Sequence, residues 1–207
     1  TKHNDDTRRI HAEIIAKSYE MMGCNSIAPG HRDITEFGIS YLRELEQLTA
    51  SRFVSCNIYD SGTSERVFDQ YQIELINGLR VGYLGATSVF HHSETLIKEP
   101  IEDIRATVNK LSKEADFIIL LFNGTDSDLD RLQDSDIDIN LVLRSKSKGK
   151  NNGRASTDGG KDRIPVFTSG NRGKYLNRIT VKLQDNKADI IDIALQTKGI
   201  SQSKKHL

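Results

Sequence analysis

Residues Phe117 to Phe122 read Phe-Ile-Ile-Leu-Leu-Phe, an unbroken apolar run between Ala115-Asp116 and Asn123-Gly124. It is far shorter than the roughly 20 residues that cross a bilayer, and too uniformly apolar for a strand with one wet face. Such a run is expected of a strand covered on both sides. Burying it in a chain of 207 residues requires helices or a second sheet on each face. The expected fold class is therefore α/β, a layered β-sandwich flanked by helices. Hydrophobic residues make up 36% and charged residues 28%, enough apolar material for one core and too much polar material for a membrane bundle. No membrane span is expected, and no charged-then-apolar leader opens the sequence at Thr1. Lys and Arg number 29 against 29 Asp and Glu, so no whole-surface positive field exists and no nucleic-acid partner is expected.

The remaining elements follow from periodicity and turn chemistry. Thr7 to Met22 reads as a helix with Ile10, Ile14, Ile15, Ser18, Met21 and Met22 on one stripe, stopped by Gly23. Ser26 to Ala28 is a short strand that Pro29-Gly30 turns into a loop, and Gly38 to Leu48 is a second helix. Arg52 to Tyr59 is a strand. Phe68 to Leu75 and Leu79 to Leu84 form a hairpin about Asn77-Gly78. Pro100 opens a third helix to about Ser112, with Ile101, Ile104, Val108 and Leu111 inward. Further strands are expected at Ile137 to Leu143, Ile164 to Thr168, Tyr175 to Gln184 and Lys187 to Gln196, with a long exposed loop from Ser145 to Asp162. One domain over residues 1–197 and a polar tail over 198–207 result.

Few side chains form a recognisable catalytic set. Cys24 and Cys56 are too few for a zinc site, and both read as small buried residues of strands, with a mutual disulfide left open. His91-His92 reads as a solvated pair. Asp126-Ser-Asp128-Leu-Asp130 echoes a calcium loop but has Arg131 and Ile137 where Gly and Glu belong, so it reads as an acidic turn. The Gly153 to Lys161 segment lacks the Ser or Thr of a phosphate loop, because Asp162 follows Lys161. His3, His11 and His206 are too scattered for a Ser-His-Asp or Cys-His arrangement.

Several stretches, in order, carry a family likeness. They are Phe53-Val-Ser-Cys-Asn-Ile-Tyr59, Asn77 to Thr87, Ala115 to Leu121, Ile137-Asp138 and Gly170-Asn-Arg-Gly173-Lys174-Tyr175-Leu176. With them the sequence resembles the calcineurin-like metallophosphoesterases, specifically the catalytic domain of the 5′-nucleotidase and UDP-sugar hydrolase group, over most of Ala12 to Gln196. The resemblance implies a cleft where two divalent metals clamp a phosphate and generate hydroxide. It places the old active-site positions at His31, Arg32, Asp33, Asn123, Arg144 and Lys146. Gly30-His31-Arg32-Asp33 stands at the family's Gly-Asn-His-Asp/Glu, putting His31 at a metal ligand and Arg32 at the assisting His. A one-residue slip would put His31 at that His instead. Asn123 stands at a lone His ligand, and Leu143-Arg144-Ser145-Lys146 at Gly-His-x-His. The family's first two ligand motifs would lie upstream of Thr1.

Arg and Lys offer no lone pair to a metal and stay cationic. The expectation is accordingly a catalytically degenerate module with no metal, no cofactor and no catalytic residue. The alternative is a phosphoesterase with two divalent metal ions, completed by further residues. Arg32, Arg144 and Lys146 are also candidates for binding an anion such as phosphate. The resemblance implies a periplasmic or extracellular place. It also implies a protein partner, with a multihaem cytochrome or a second copy of the chain as candidates, since a missing opening strand leaves an exposed edge.

Overall fold

The computed structural model describes residues 2–145, 163–168, 176–184 and 187–196. Its elements are α1 (Lys2–Met21), β1 (Ser26–Ile27), α2 (His31–Gln47), β2 (Arg52–Phe53), β3 (Ile58–Asp60), β4 (Tyr71–Ile76), β5 (Leu79–Thr87) and β6 (Thr95–Ile97). They continue with α3 (Pro100–Leu111), β7 (Phe117–Asn123), α4 (Asp126–Gln133), β8 (Leu141–Arg144), β9 (Val166–Thr168), β10 (Leu176–Gln184) and β11 (Lys187–Gln196). Of the expected loop from Ser145 to Asp162 all but Ser145 lies outside the described residues, as do the turn Gly170 to Lys174, Tyr175 and the tail from Lys198.

The apolar run becomes β7, the middle strand of a five-stranded sheet ordered β4-β5-β7-β8-β9. Its two faces are covered, as its composition requires. Ile118, Leu120 and Phe122 meet Ile104, Val108 and Leu111 of α3 and Leu132 of α4. On the other face Phe117 and Ile119 share a cluster with Phe167 and with Ile179, Val181 and Ile190 of the β10–β11 hairpin. Each fully buried Leu, Ile or Phe here contributes about 1.5–3 kcal/mol. β5, β7, β8 and β9 run parallel, with α3 and α4 as crossovers, and β4 joins antiparallel through the Asn77-Gly78 turn. Both turn residues have positive φ (50° and 86°), as that hairpin type demands. The α/β layered architecture is the one expected.

Several local expectations need correction. α2 begins at His31, not Gly38: Gly30 serves as N-cap, the Asp33 carboxylate accepts its N–H, and Gly38 absorbs a kink at φ 72°, ψ 166°. The stretch His31 to Phe37 is therefore helix and not loop. α1 starts earlier than Thr7, and its apolar stripe does not face the core. Ile10, Ile14, Ile15, Met21 and Met22 are all more than half exposed. The inward face is built from Ala16 and Ala12, whose small side chains let α1 approach α2. Tyr41 of α2 donates to the Arg9 carbonyl at 2.9 Å, and the Arg9 guanidinium covers the Tyr41 ring. The strand expected over Ile137 to Leu143 begins only at Leu141, although Ile137 and Ile139 are still buried. Cys24 and Cys56 are both free thiols, and neither lies in a strand: Cys24 follows α1 and Cys56 lies between β2 and β3.

Candidate functional site

The parallel strands β7, β8 and β9 all end at one edge of the sheet, the usual place for ligands in open α/β folds. Asn123 ends β7, Arg144 ends β8, and the N-terminus of α2 arrives beside them. Gly30 makes this approach possible, because a Cβ there would sit 2.6 Å from the Asn123 side-chain carbon. Asn123 then bridges three elements. The His31 N–H donates to its Oδ1 at 3.4 Å, and its Nδ2 donates to Ser145 Oγ at 2.7 Å. Thr87 of β5 donates to its main-chain carbonyl at 2.9 Å.

The residues singled out from the sequence divide sharply here. Asp33 Oδ2 accepts the Gly30 N–H at 2.8 Å, so its carboxylate caps α2. The His31 ring packs edge-on against Phe90, centroids 4.6 Å apart. Arg32 is exposed on the first turn of α2. Arg144 turns inward with its side chain only 8% exposed, and donates from Nη2 and Nε to the Gly124 carbonyl at 2.8 and 3.3 Å. The same guanidinium pairs with Asp126 at 2.6 Å. The structure thus brings His31, Asp33, Asn123 and Arg144 to one sheet edge, while Lys146 lies outside the described residues.

Two features go beyond the sequence expectations. Asp126 to Gln133 is a helix, not a solvated acidic turn. Thr125 is its N-cap, accepting from the Asp128 N–H at 3.1 Å. The Thr-x-x-Asp spacing carries that signal. Asp128 also accepts hydrogen bonds from Thr125 and Ser88, locking the loops after β5 and β7 together. Ser145 stands at the unspecified position of the Gly-His-x-His stretch, yet it is the partner of Asn123.

Behind this edge, between the sheet face, β1, α1 and the β10–β11 hairpin, opens a cleft of about 550 Å³. Tyr19, Cys24, Ala28, Asn123, Arg144 and Thr168 are among its lining residues.

A dimetal centre, implied by the fold, is poorly served by these groups. Among the described residues no three His, Cys, Asp or Glu side chains converge closely enough to hold an ion. The Asn123 amide and the Asp33 carboxylate are already engaged, and Arg144 adds a cation. Among the described residues these donors alone do not make up the ligand set of two divalent ions.

No protein-family profile and no curated protein sequence matches this chain. Solved structures do. The sulfate thiohydrolase SoxB of Thermus thermophilus superposes with a TM-score of 0.71 at 20% identity, covering 89% of this chain and 34% of SoxB. The 5′-nucleotidase precursor of the same organism gives 0.64 at 18%, covering 88% and 40%. The NAD nucleotidase of Haemophilus influenzae gives 0.61 at 16%, covering 84% and 39%. The fold is that of the metallophosphoesterase domain expected from the motifs, and the chain spans between a third and two-fifths of these proteins.

Proposed function

We propose that this chain is a catalytically degenerate, 5′-nucleotidase-like module that acts by binding or assembly with a protein partner in a periplasmic or extracellular place. One observation carries the reading: the polar groups at the strand ends satisfy one another. Arg144 is committed to Gly124 and Asp126, Asn123 to His31 and Ser145, and Asp33 to Gly30. A pair of divalent ions needs open anionic or lone-pair donors, and a buried guanidinium beside them raises the electrostatic cost. The cleft beside these strand ends is the surface offered to a partner. A multihaem cytochrome or a second copy of this chain are the partner types suggested by the resemblance. The chain has no Cys-x-x-Cys-His of its own. Among the described residues no helix is long and apolar enough to cross a membrane.

The competing reading is a metal-dependent phosphoesterase completed by residues beyond this chain. It draws on the names of the structures that share the fold, a thiohydrolase and two nucleotidases. Hydrolysis of 5′-AMP and of bis(p-nitrophenyl) phosphate in added manganese or cobalt separates the two. The binding module gives no turnover above the metal-only blank, and saturable turnover overturns it.

A further inference from the structure

A second cavity, of about 600 Å³, opens between the C-terminal turns of α2, Arg52 of β2, Tyr59 of β3 and the strap Ser64 to Gln70. It shares no lining residue with the cleft at the strand ends. Two bridges pin the strap, Tyr59 to Arg66 and Val54 to Asp69. The Val67 and Ser55 N–H groups donate to the Ile58 and Asp69 carbonyls at 3.0 and 2.8 Å. Val67 and Phe68 are buried, and the Phe68 ring packs on that of Phe53, centroids 5.9 Å apart. The wall is thus fixed from behind, and the volume suits a small molecule.

Charge selects the occupant. Arg43, Arg52 and Arg66 line this space together with Glu46, Glu65 and Asp69. Among the described residues no ion pair joins any two of these six. Three of them are tied to main chain instead. Arg43 Nη2 donates to the Val67 carbonyl at 3.1 Å and Arg66 Nε to the Cys56 carbonyl at 3.0 Å, while Glu46 Oε1 accepts the Phe53 N–H at 2.7 Å. The Arg66 guanidinium also lies 4.9 Å over the Tyr59 ring, and its ion pair, at 3.5 Å, is with Asp103 of α3, which is not a lining residue. The side chains of Arg52, Glu65 and Asp69 make no hydrogen bond or ion pair among the described residues. Opposite charges therefore border one space without neutralising one another. A ligand of one sign would be drawn by one set and repelled by the other, whereas a ligand carrying both signs gains from each.

We propose that this cavity binds a small zwitterion of the amino-acid class, its carboxylate held by Arg43 and Arg52 and its ammonium by Glu65 and Asp69. The carbon frame between the two charges lies against Val67 and Phe68. The carboxylate end is the directional one, because a planar guanidinium offers paired donors. The site is separate from the strand ends, and it stands or falls independently of the binding-module reading.

The probes are L-glutamate and L-lysine, each titrated to millimolar concentration into the full chain at neutral pH while backbone amide shifts are followed by NMR. Glutarate and cadaverine, the same frames without the ammonium or without the carboxylate, are the single-sign controls. The expected result is saturable shifts at Arg52 and at Arg66 to Asp69 with at least one of the two amino acids. Its own single-sign analogue should bind about tenfold more weakly or worse. Arg52→Gln and Asp69→Asn each change one exposed side chain, so both variants should fold. Each should weaken the amino acid by roughly tenfold, since each removes one of the two complementary charges. Absence of saturable shifts with both amino acids overturns the proposal. So does an equal affinity for the single-sign analogue, or binding undiminished in both variants.

Discussion

Arg144 at the end of β8 and Asp126 at the start of α4 form an ion pair of 2.6 Å, with the guanidinium nearly buried and the carboxylate largely in water. The asymmetry decides what each substitution does. Asp126→Ala strands a buried cation with only the Gly124 carbonyl and should cost about 1–2 kcal/mol. Arg144→Met removes the buried charge, keeps much of the volume, and leaves Asp126 solvated, so it should cost less than about 1 kcal/mol. Urea midpoints of the two variants test the order. If Arg144→Met proves the more damaging, the pair is a net stabiliser and this account of it is wrong.

The carboxamide of Asn57 is fully buried and holds the end of β5 to the loop before α3. It donates to the carbonyls of Thr87 and Lys98 at 2.7 and 2.8 Å and accepts the Thr87 N–H at 3.0 Å. Asn57→Ala leaves three main-chain groups without that partner, the two of Thr87 buried and that of Lys98 partly so, and should cost about 2–4 kcal/mol in denaturant unfolding. A loss below about 1 kcal/mol would show that water replaces the amide.

Gly85 and Gly82 both lie in β5, but what a Cβ would meet differs. At Gly85 it would sit 2.0 Å from the Val54 carbonyl oxygen, which is backbone and cannot rotate aside. At Gly82 it would meet Leu111 side-chain carbons at 2.7–2.9 Å. Gly82→Ala should therefore cost about 1–3 kcal/mol through overpacking. Gly85→Ala should cost more, enough to lower soluble yield. Thermal unfolding of both, run in parallel, gives the comparison.

How much of this is legible in the sequence depends on whether the signal is local. Pro100 with Ile101, Ile104, Val108 and Leu111 defines α3 closely, and Asn77-Gly78 defines the hairpin, because capping and positive φ are properties of neighbouring residues. The start of α2 escapes a sequence reading because glycine is a weak signal for an N-cap. What stabilises it is the Asp33 side chain together with Asn123, 92 residues from His31. The stripe of α1 is a clear periodic pattern, yet tertiary packing puts Ala12 and Ala16 inward instead. At the site, Arg144 can be named from motif order. Its burial against Gly124 and Asp126 needs the fold.

Burial pushes the Cys56 thiol up to about 12, with nearby Asp103 adding to it. Burial likewise pushes the Tyr59 hydroxyl up to about 12, and its hydrogen bond to Asp103 adds to that. Both shifts favour the neutral form in the folded state. Their stabilisation is complete below the unfolded values, 9.0 for the thiol and 10.0 for the phenol, and is lost as pH climbs toward about 12. Urea midpoints should fall across that window, and Tyr59→Phe should flatten the part above pH 10. A profile indifferent to the substitution would mean that Tyr59 is solvated.

The central claim is that the sheet edge formed by Gly30, Asn123 and Arg144 is closed by its own partners and holds no metal pair. Native mass spectrometry of the purified chain in excess manganese or zinc tests it most directly. The expected spectrum is the bare chain with no saturable metal adduct, unchanged in Arg144→Met. Two tightly held ions per chain, lost on substitution of Asn123 or Asp33, would contradict the account.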